Sequence, residues 1–298
     1  MKNKLPLMLA ACCLSLSARA QSTFDWKIEK PEKYGAAPNA YAAEFRLRLP
    51  AADGDLDYVL VLLPGFNGDG RGMAGDGQWQ RFADKQRAAI VACKLTVSGN
   101  APHYVRVENW AGWALLDTLK HFAEETQKPA LNTAPLLLWG HSAGGGFAYN
   151  FANWKPERVA GFALVKSALN TDDPRGATPK VPGLFIGGEN DRERTELITK
   201  RYNSGRRRGA LWCFAFEPNS GHEVGQSATL GRAFLRGVMN YRSASAAGGD
   251  TAWLGDLADH DVFPKGGNPK NNKATTWLPD EAFAEKWKTF TTGGKIYE

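Results

Sequence analysis

In the segment Gly140-His141-Ser142-Ala143-Gly144 a single serine stands between glycines, after the apolar run Pro135 to Trp139 and before a segment of helical length. A serine hydroxyl is a weak nucleophile at neutral pH. It needs a base beside it, a partner that orients the base, and donors for the oxyanion formed on attack. The chain has five histidines. His121 lies in a helical stretch, His141 inside the glycine motif, His103 in a loop and His260 near the C-terminus. His222, in Asn219-Ser220-Gly221-His222-Glu223, follows the last strand-like run before the tail and is the candidate base. Asp191, in Gly188-Glu189-Asn190-Asp191, is the candidate orienting acid, with Glu189 and Asp172 or Asp173 as alternatives. Asp191 also stands where it could cap the helix that follows.

The oxyanion needs two backbone donors. One expected donor is the amide of Ala143, at the start of the helix after the serine. The other comes from Pro64-Gly65-Phe66-Asn67-Gly68, where the glycines leave an amide free to turn inward; Phe66 is the first choice and Asn67 the second. A phosphate loop would require Lys followed by Ser or Thr after the glycines, and Phe147-Ala148 stands there instead. The Asp and Asn residues of the same loop lack the spacing of a calcium loop. No cofactor and no metal are called for.

These residues need a frame that brings distant loops to one edge. Tyr58 to Leu63, Ala88 to Cys93, Pro135 to Gly140, Val159 to Val165, Pro182 to Gly188 and Ala210 to Pro218 are short apolar runs bounded by Gly, Pro or Asn, as strands buried on both faces are. Ala43 to Leu49 alternates apolar and charged residues, as a half-exposed strand does. Segments of helical period lie between the runs, including Gln78 to Arg87, Trp110 to Glu124, Phe147 to Phe151, Arg192 to Arg201 and Ser227 to Tyr241. The alternation predicts an α/β fold with a mostly parallel central sheet, helices on both faces and no large lid. Loops at the carboxyl ends of parallel strands share one face, which is where Ser142, Asp191 and His222 fall.

The first twenty residues have the order of a secretory signal peptide: Lys2 and Lys4, an apolar run, then Ala18-Arg19-Ala20 before Gln21. Cleavage after Ala20 and export to the periplasm or beyond are expected, with lipidation at Cys12 as the alternative. Losing Lys2, Lys4 and Arg19 lowers the formal charge from +6 to +3, an excess that does not argue for nucleic acid. Cys93 and Cys213 remain, each inside a strand-like run and read as buried free thiols. The main domain is bounded at residues 21–242. The tail, 243–298, carries a weak echo between Thr251-Ala252-Trp253-Leu254 and Thr275-Thr276-Trp277-Leu278, and is expected to anchor Trp253, Trp277 and Trp287 on the main domain.

Taken together, the serine motif, the order Ser142, Asp191, His222 and the Pro64-Gly65 loop resemble the α/β-hydrolase superfamily, over about Glu44 to Tyr241. Within it, the chain is similar to lidless secreted esterases related to polyhydroxybutyrate depolymerases and feruloyl esterases. Pro64-Gly65 stands where His-Gly is common, a departure that leaves backbone donors intact. The resemblance implies a serine ester hydrolase working through an acyl-enzyme, on a small or polymer-linked ester from plant material, acetylated sugar or polyester. A peptidase on the same scaffold and a non-catalytic binding protein are the rival readings. Phe66, Trp79, Tyr104, Trp110 and Trp113 are candidates for an aromatic wall, with Trp110 and Trp113 chosen as substrate-binding residues.

Overall fold

The apolar runs lie side by side as strands of one sheet. The computed structural model describes residues 22–28, 40–52, 54–99, 103–168, 181–267 and 274–298. The leader with Cys12 and Ala20, and the alternative acids Asp172 and Asp173, lie outside these. The strands are β1 (Thr23–Lys27), β2 (Ala40–Arg48), β3 (Tyr58–Leu63), β4 (Ala88–Val97), β5 (Leu136–His141), β6 (Val159–Val165), β7 (Gly183–Gly188) and β8 (Trp212–Glu217). They form an eight-stranded sheet in the order β1-β2-β4-β3-β5-β6-β7-β8. From β4 to β8 every neighbouring pair is parallel, whereas β2 runs antiparallel to both β1 and β4.

Strand alternation divides the core in two. Val59, Val61 and Leu63 of β3 face one layer with Leu136 and Leu138 of β5; Leu60 and Leu62 face the other with Leu137 and Trp139. Both faces are apolar because helices cover both. The first layer is closed by α2 (Ala111–Thr126), the short α3 (Ala130–Thr133), α4 (Ala143–Trp154) and α5 (Arg192–Arg207); the second by α1 (Gly77–Lys85), α6 (Ser227–Ala246) and α7 (Glu281–Thr291). Cys93 and Cys213 are free and buried.

Two strands of the tail account for the sequence echo. β9 (Trp253–Asp256) pairs antiparallel with β11 (Thr275–Leu278), setting Leu254 opposite Trp277 and Trp253 opposite Leu278, and β10 (Val262–Pro264) completes a three-stranded sheet. This sheet and α7 cover the outer strand of the main sheet. The Phe214 amide on β8 donates to Thr276 Oγ1 at 2.7 Å, and Trp287 Nε1 donates to the Phe214 carbonyl at 2.7 Å. An uncovered edge strand offers such groups to other chains. Trp277 and Trp287 are buried, and Trp253 is half-buried.

Candidate active site

At the carboxyl end of β5 the chain turns sharply into α4, and Ser142 sits at the turn with φ 55° and ψ −122°. A non-glycine residue held there stores about 1–3 kcal/mol of strain. The neighbours explain why it is tolerated. A Cβ on Gly140 would stand 2.1 Å from the Gly144 carbonyl oxygen, and one on Gly144 would stand 2.3 Å from the Leu63 carbonyl oxygen. The Ser142 amide donates to the Val165 carbonyl of β6 at 2.8 Å, which fixes the turn to the next strand.

His222 and Asp191 reach the same point from the ends of β8 and β7. His222 Nε2 lies 3.0 Å from Ser142 Oγ, and His222 Nδ1 lies 2.7 Å from Asp191 Oδ2. A carboxylate only accepts, so Nδ1 carries the proton and Nε2 offers its lone pair to the serine hydroxyl. Asp191 occupies the cap position of α5, yet its side chain caps no amide. Its other oxygen, Oδ1, accepts from Arg194 at 2.9 Å. Asp191 is 7% exposed. Burial pushes its carboxyl up, but the hydrogen bonds from His222 and Arg194 outweigh that and hold it below the usual carboxylate value. Glu189, the alternative acid, instead accepts the Asn219 amide at 2.6 Å.

Three side chains that sequence reasoning passed over hold the histidine loop. His141, in the turn itself, points Nε2 at the His222 carbonyl oxygen at 2.7 Å. Lys166, the residue after β6, is wholly buried with φ 47°, and its Nζ meets Ser220 Oγ at 2.5 Å, the Glu223 carbonyl at 2.6 Å and Glu217 Oε2 at 2.8 Å. Glu217 is buried at the end of β8, where it also accepts from the Gln226 amide and Ser227 Oγ. A lysine and a glutamate at strand ends read as solvated charges, and no local pattern marks their pairing across β6 and β8.

The loop expected to donate to an oxyanion lies against the serine: a Cβ on Gly65 would be 3.6 Å from Ser142 Cβ. Gly68 donates back to the Gly65 carbonyl at 3.0 Å, closing a tight turn that leaves the Phe66 amide out of its own hydrogen bond. The Ala143 amide, first in α4, has no carbonyl four residues back to bond. Asn67, at φ 53°, clips the loop to β4 by donating from Nδ2 to the Val97 carbonyl at 2.9 Å and accepting the Val97 amide at 3.0 Å. Tyr104 is buried beneath and its ring stacks on Phe66 with centroids 6.5 Å apart. Phe66 itself is 38% exposed, an apolar ring on the loop that lies against Ser142.

The other expected aromatics are elsewhere. Trp110 is 2% exposed, buried in the core, and Trp79 is buried against Trp139 on the opposite side of the sheet. Trp113 is 45% exposed but packs edge-on against Trp154, centroids 4.8 Å apart. Trp154 ends the helix that Ser142 begins, and twelve residues span about 18 Å. Trp110 and Trp113 thus form no wall at the serine, and Phe66 is carried by the loop that lies against Ser142. The buried stripe of α2 runs through Ala111, Ala114, Leu115, Thr118, Leu119 and Phe122, and Trp113 lies outside it.

No family model and no curated protein matches the sequence. Solved structures do. An S-formylglutathione hydrolase from Agrobacterium tumefaciens superposes with a TM-score of 0.55 at 15% identity, over 73% of this chain and 94% of its own. A ferulic acid esterase gives 0.53 at 13% identity, over 73% and 97%, and an esterase of Pyrobaculum calidifontis gives 0.52 at 15%, over 73% and 84%. The chain has the α/β-hydrolase fold. Its mostly parallel sheet with flanking helices, expected from the alternation of apolar runs, is the architecture observed. In an α/β-hydrolase frame the loops after β5, β7 and β8 meet at one edge, so three residues far apart in the chain come within hydrogen-bond reach. Chemically, such a serine can pass its proton to the imidazole as Oγ attacks an electrophilic carbonyl. Among the described residues no group of three or more His, Cys, Asp or Glu is arranged to hold a metal, and no helix is long and apolar enough to cross a membrane.

Proposed function

We propose that the protein is a serine carboxylic-ester hydrolase that works through an acyl-enzyme on Ser142. The observation that carries the reading is the continuous run from Ser142 Oγ to His222 Nε2 and from His222 Nδ1 to Asp191, at 3.0 and 2.7 Å. His222 takes the hydroxyl proton as Oγ attacks the ester carbonyl, and Asp191 keeps the ring in the required tautomer and stabilises the imidazolium. The amides of Phe66 and Ala143 hold the oxyanion. The imidazolium then protonates the leaving alcohol, and water, activated by the same histidine, releases the acid.

Esters are favoured over amides by the solved structures of similar fold, several of which are described as esterases. The exposed Phe66 ring, on the loop that lies against Ser142, suits an apolar or aromatic group on the ester, as in phenolic esters of plant material, while acetylated sugars and polyesters stay within the class. The leader of Lys2 to Ala20 supports an exported enzyme. Hydrolysis of p-nitrophenyl acetate, butyrate and octanoate and of methyl ferulate by the purified protein, beside Ser142→Ala, tests the reading. Turnover by the native protein and none by the variant is the expected result; no turnover of any ester would overturn it.

A further inference from the structure

Lys166 is a buried cation outside the reacting trio. It follows β6, two strands away from β8, and no solvent reaches it. Burying an ammonium is costly unless charge and hydrogen bonds replace its water. Here all three of its donors are answered: Glu217 Oε2 at 2.8 Å, Ser220 Oγ at 2.5 Å and the Glu223 carbonyl at 2.6 Å. Its acceptors are not scattered. Ser220 and Glu223 are the residues that bracket Gly221 and His222, and Glu217 is the last residue of the strand from which this loop departs.

The bracket is tied again from within. Ser220 Oγ donates to Glu223 Oε1 at 2.6 Å, and the Gly221 amide meets the same carboxylate at 3.0 Å. The Ser220 hydroxyl and the Gly221 amide hold the Glu223 carboxyl down at about 2. The Ser220 carbonyl accepts the Asn190 amide at 2.8 Å, one residue before Asp191, so the two loops that carry the base and its acid share the anchor. The closeness of the parts leaves no spare room. A Cβ on Gly188 would stand 3.2 Å from Lys166 Cε and 2.6 Å from the Gly221 carbonyl oxygen.

We infer that Lys166 is a positioning residue for His222: its buried Nζ clamps both sides of the His222 loop and so sets the 3.0 Å approach of the imidazole to Ser142. The inference rests on His222 acting as the base. A purely structural ion pair would have no need of the two residues that bracket Gly221 and His222. Releasing the clamp lets the loop drift by a fraction of an ångström, and a misplacement of about 1 Å costs on the order of 100-fold in rate.

The test compares Lys166→Met, His222→Ala and the double variant with the native protein, reading kcat and KM for one p-nitrophenyl ester. Lys166→Met is expected to lower kcat by about 10- to 100-fold with KM changed by less than about twofold. In the His222→Ala background the same change should cost less than about twofold, because the residue it positions is gone. Native kcat in Lys166→Met, or the same fold-loss in both backgrounds, would overturn the inference. An unchanged rate in His222→Ala would instead overturn the assignment of the base. Where Lys166→Met fails to fold because Glu217 is left buried without its cation, Ser220→Ala carries the test. That variant keeps the Lys166–Glu217 pair and removes one arm of the clamp; a several-fold loss of kcat confined to the His222 background is expected, and no loss or an equal loss in both would be fatal.

Discussion

The side chain of His141 is bonded to the backbone of His222: His141 Nε2 meets the His222 carbonyl oxygen at 2.7 Å. A carbonyl only accepts, so Nε2 carries the proton. The residue that precedes Ser142 therefore holds the backbone of the imidazole that faces Ser142, and the two rings lie with centroids 4.9 Å apart.

Burial pushes the His141 imidazole below its usual value, so the ring stays neutral in the folded protein where an unfolded chain would protonate it. The unfolded state then binds more protons below about pH 6.5, and stability falls as pH drops from there. His141→Asn should flatten this slope in thermal melts recorded between neutral pH and mild acid, and should lower kcat by about tenfold if the His222 carbonyl loses its donor. An unchanged slope would show that another group causes it.

Asp191→Asn should reduce kcat by about 10³- to 10⁴-fold, because a carboxamide no longer enforces the productive tautomer of His222. The loss should be smaller than for Ser142→Ala. Glu189→Gln should change kcat by less than about threefold, since its bond to the Asn219 amide survives the substitution. Steady-state kinetics on the three variants check the order, and a crippled Glu189→Gln beside a nearly silent Asp191→Asn would reverse the assignment of the acid.

Gly144→Ala places a methyl against the carbonyl oxygens of Leu63 and Pro64, at 2.3 and 2.5 Å, and backbone cannot swing aside as a side chain would. The expected cost is about 3 kcal/mol or more, with loss of turnover. Gly72→Ala, where a Cβ meets nothing within 4 Å, is the control and should stay within about 0.5 kcal/mol of the native protein in urea unfolding.

Trp287→Phe should cost about 1–3 kcal/mol, since it keeps most of the ring and leaves the Phe214 carbonyl on the outer strand without its donor. Trp287→Ala should cost about 3–5 kcal/mol by adding a cavity. Thermal melts read the stability, and light scattering reads whether the uncovered β8 edge recruits other chains. Equal stability in both variants would mean that the tail does not hold the edge.

The parts of this molecule that were legible in the sequence are those written in local pattern. The strand from Val159 to Val165 is apolar throughout and bounded as expected, and the glycines around Ser142 declare a turn that only small neighbours permit. Ser142, Asp191 and His222 could be named because each must lie past a strand at the same edge. The short strand Thr23–Lys27 escaped because five residues of mixed burial give little periodic signal. The role of Lys166 escaped because its acceptors come from a loop more than fifty residues away. Trp113 packs on Trp154 at the far end of α4, a partner that no local pattern around either residue names.

The most direct test of the central claim is to treat the purified protein and its His222→Ala variant with a fluorophosphonate and map the adduct by peptide mass spectrometry. The account predicts one adduct, on Ser142, formed rapidly in the native protein together with loss of ester turnover, and formed far more slowly in the variant. An adduct on another residue, or none while ester turnover persists, would contradict it.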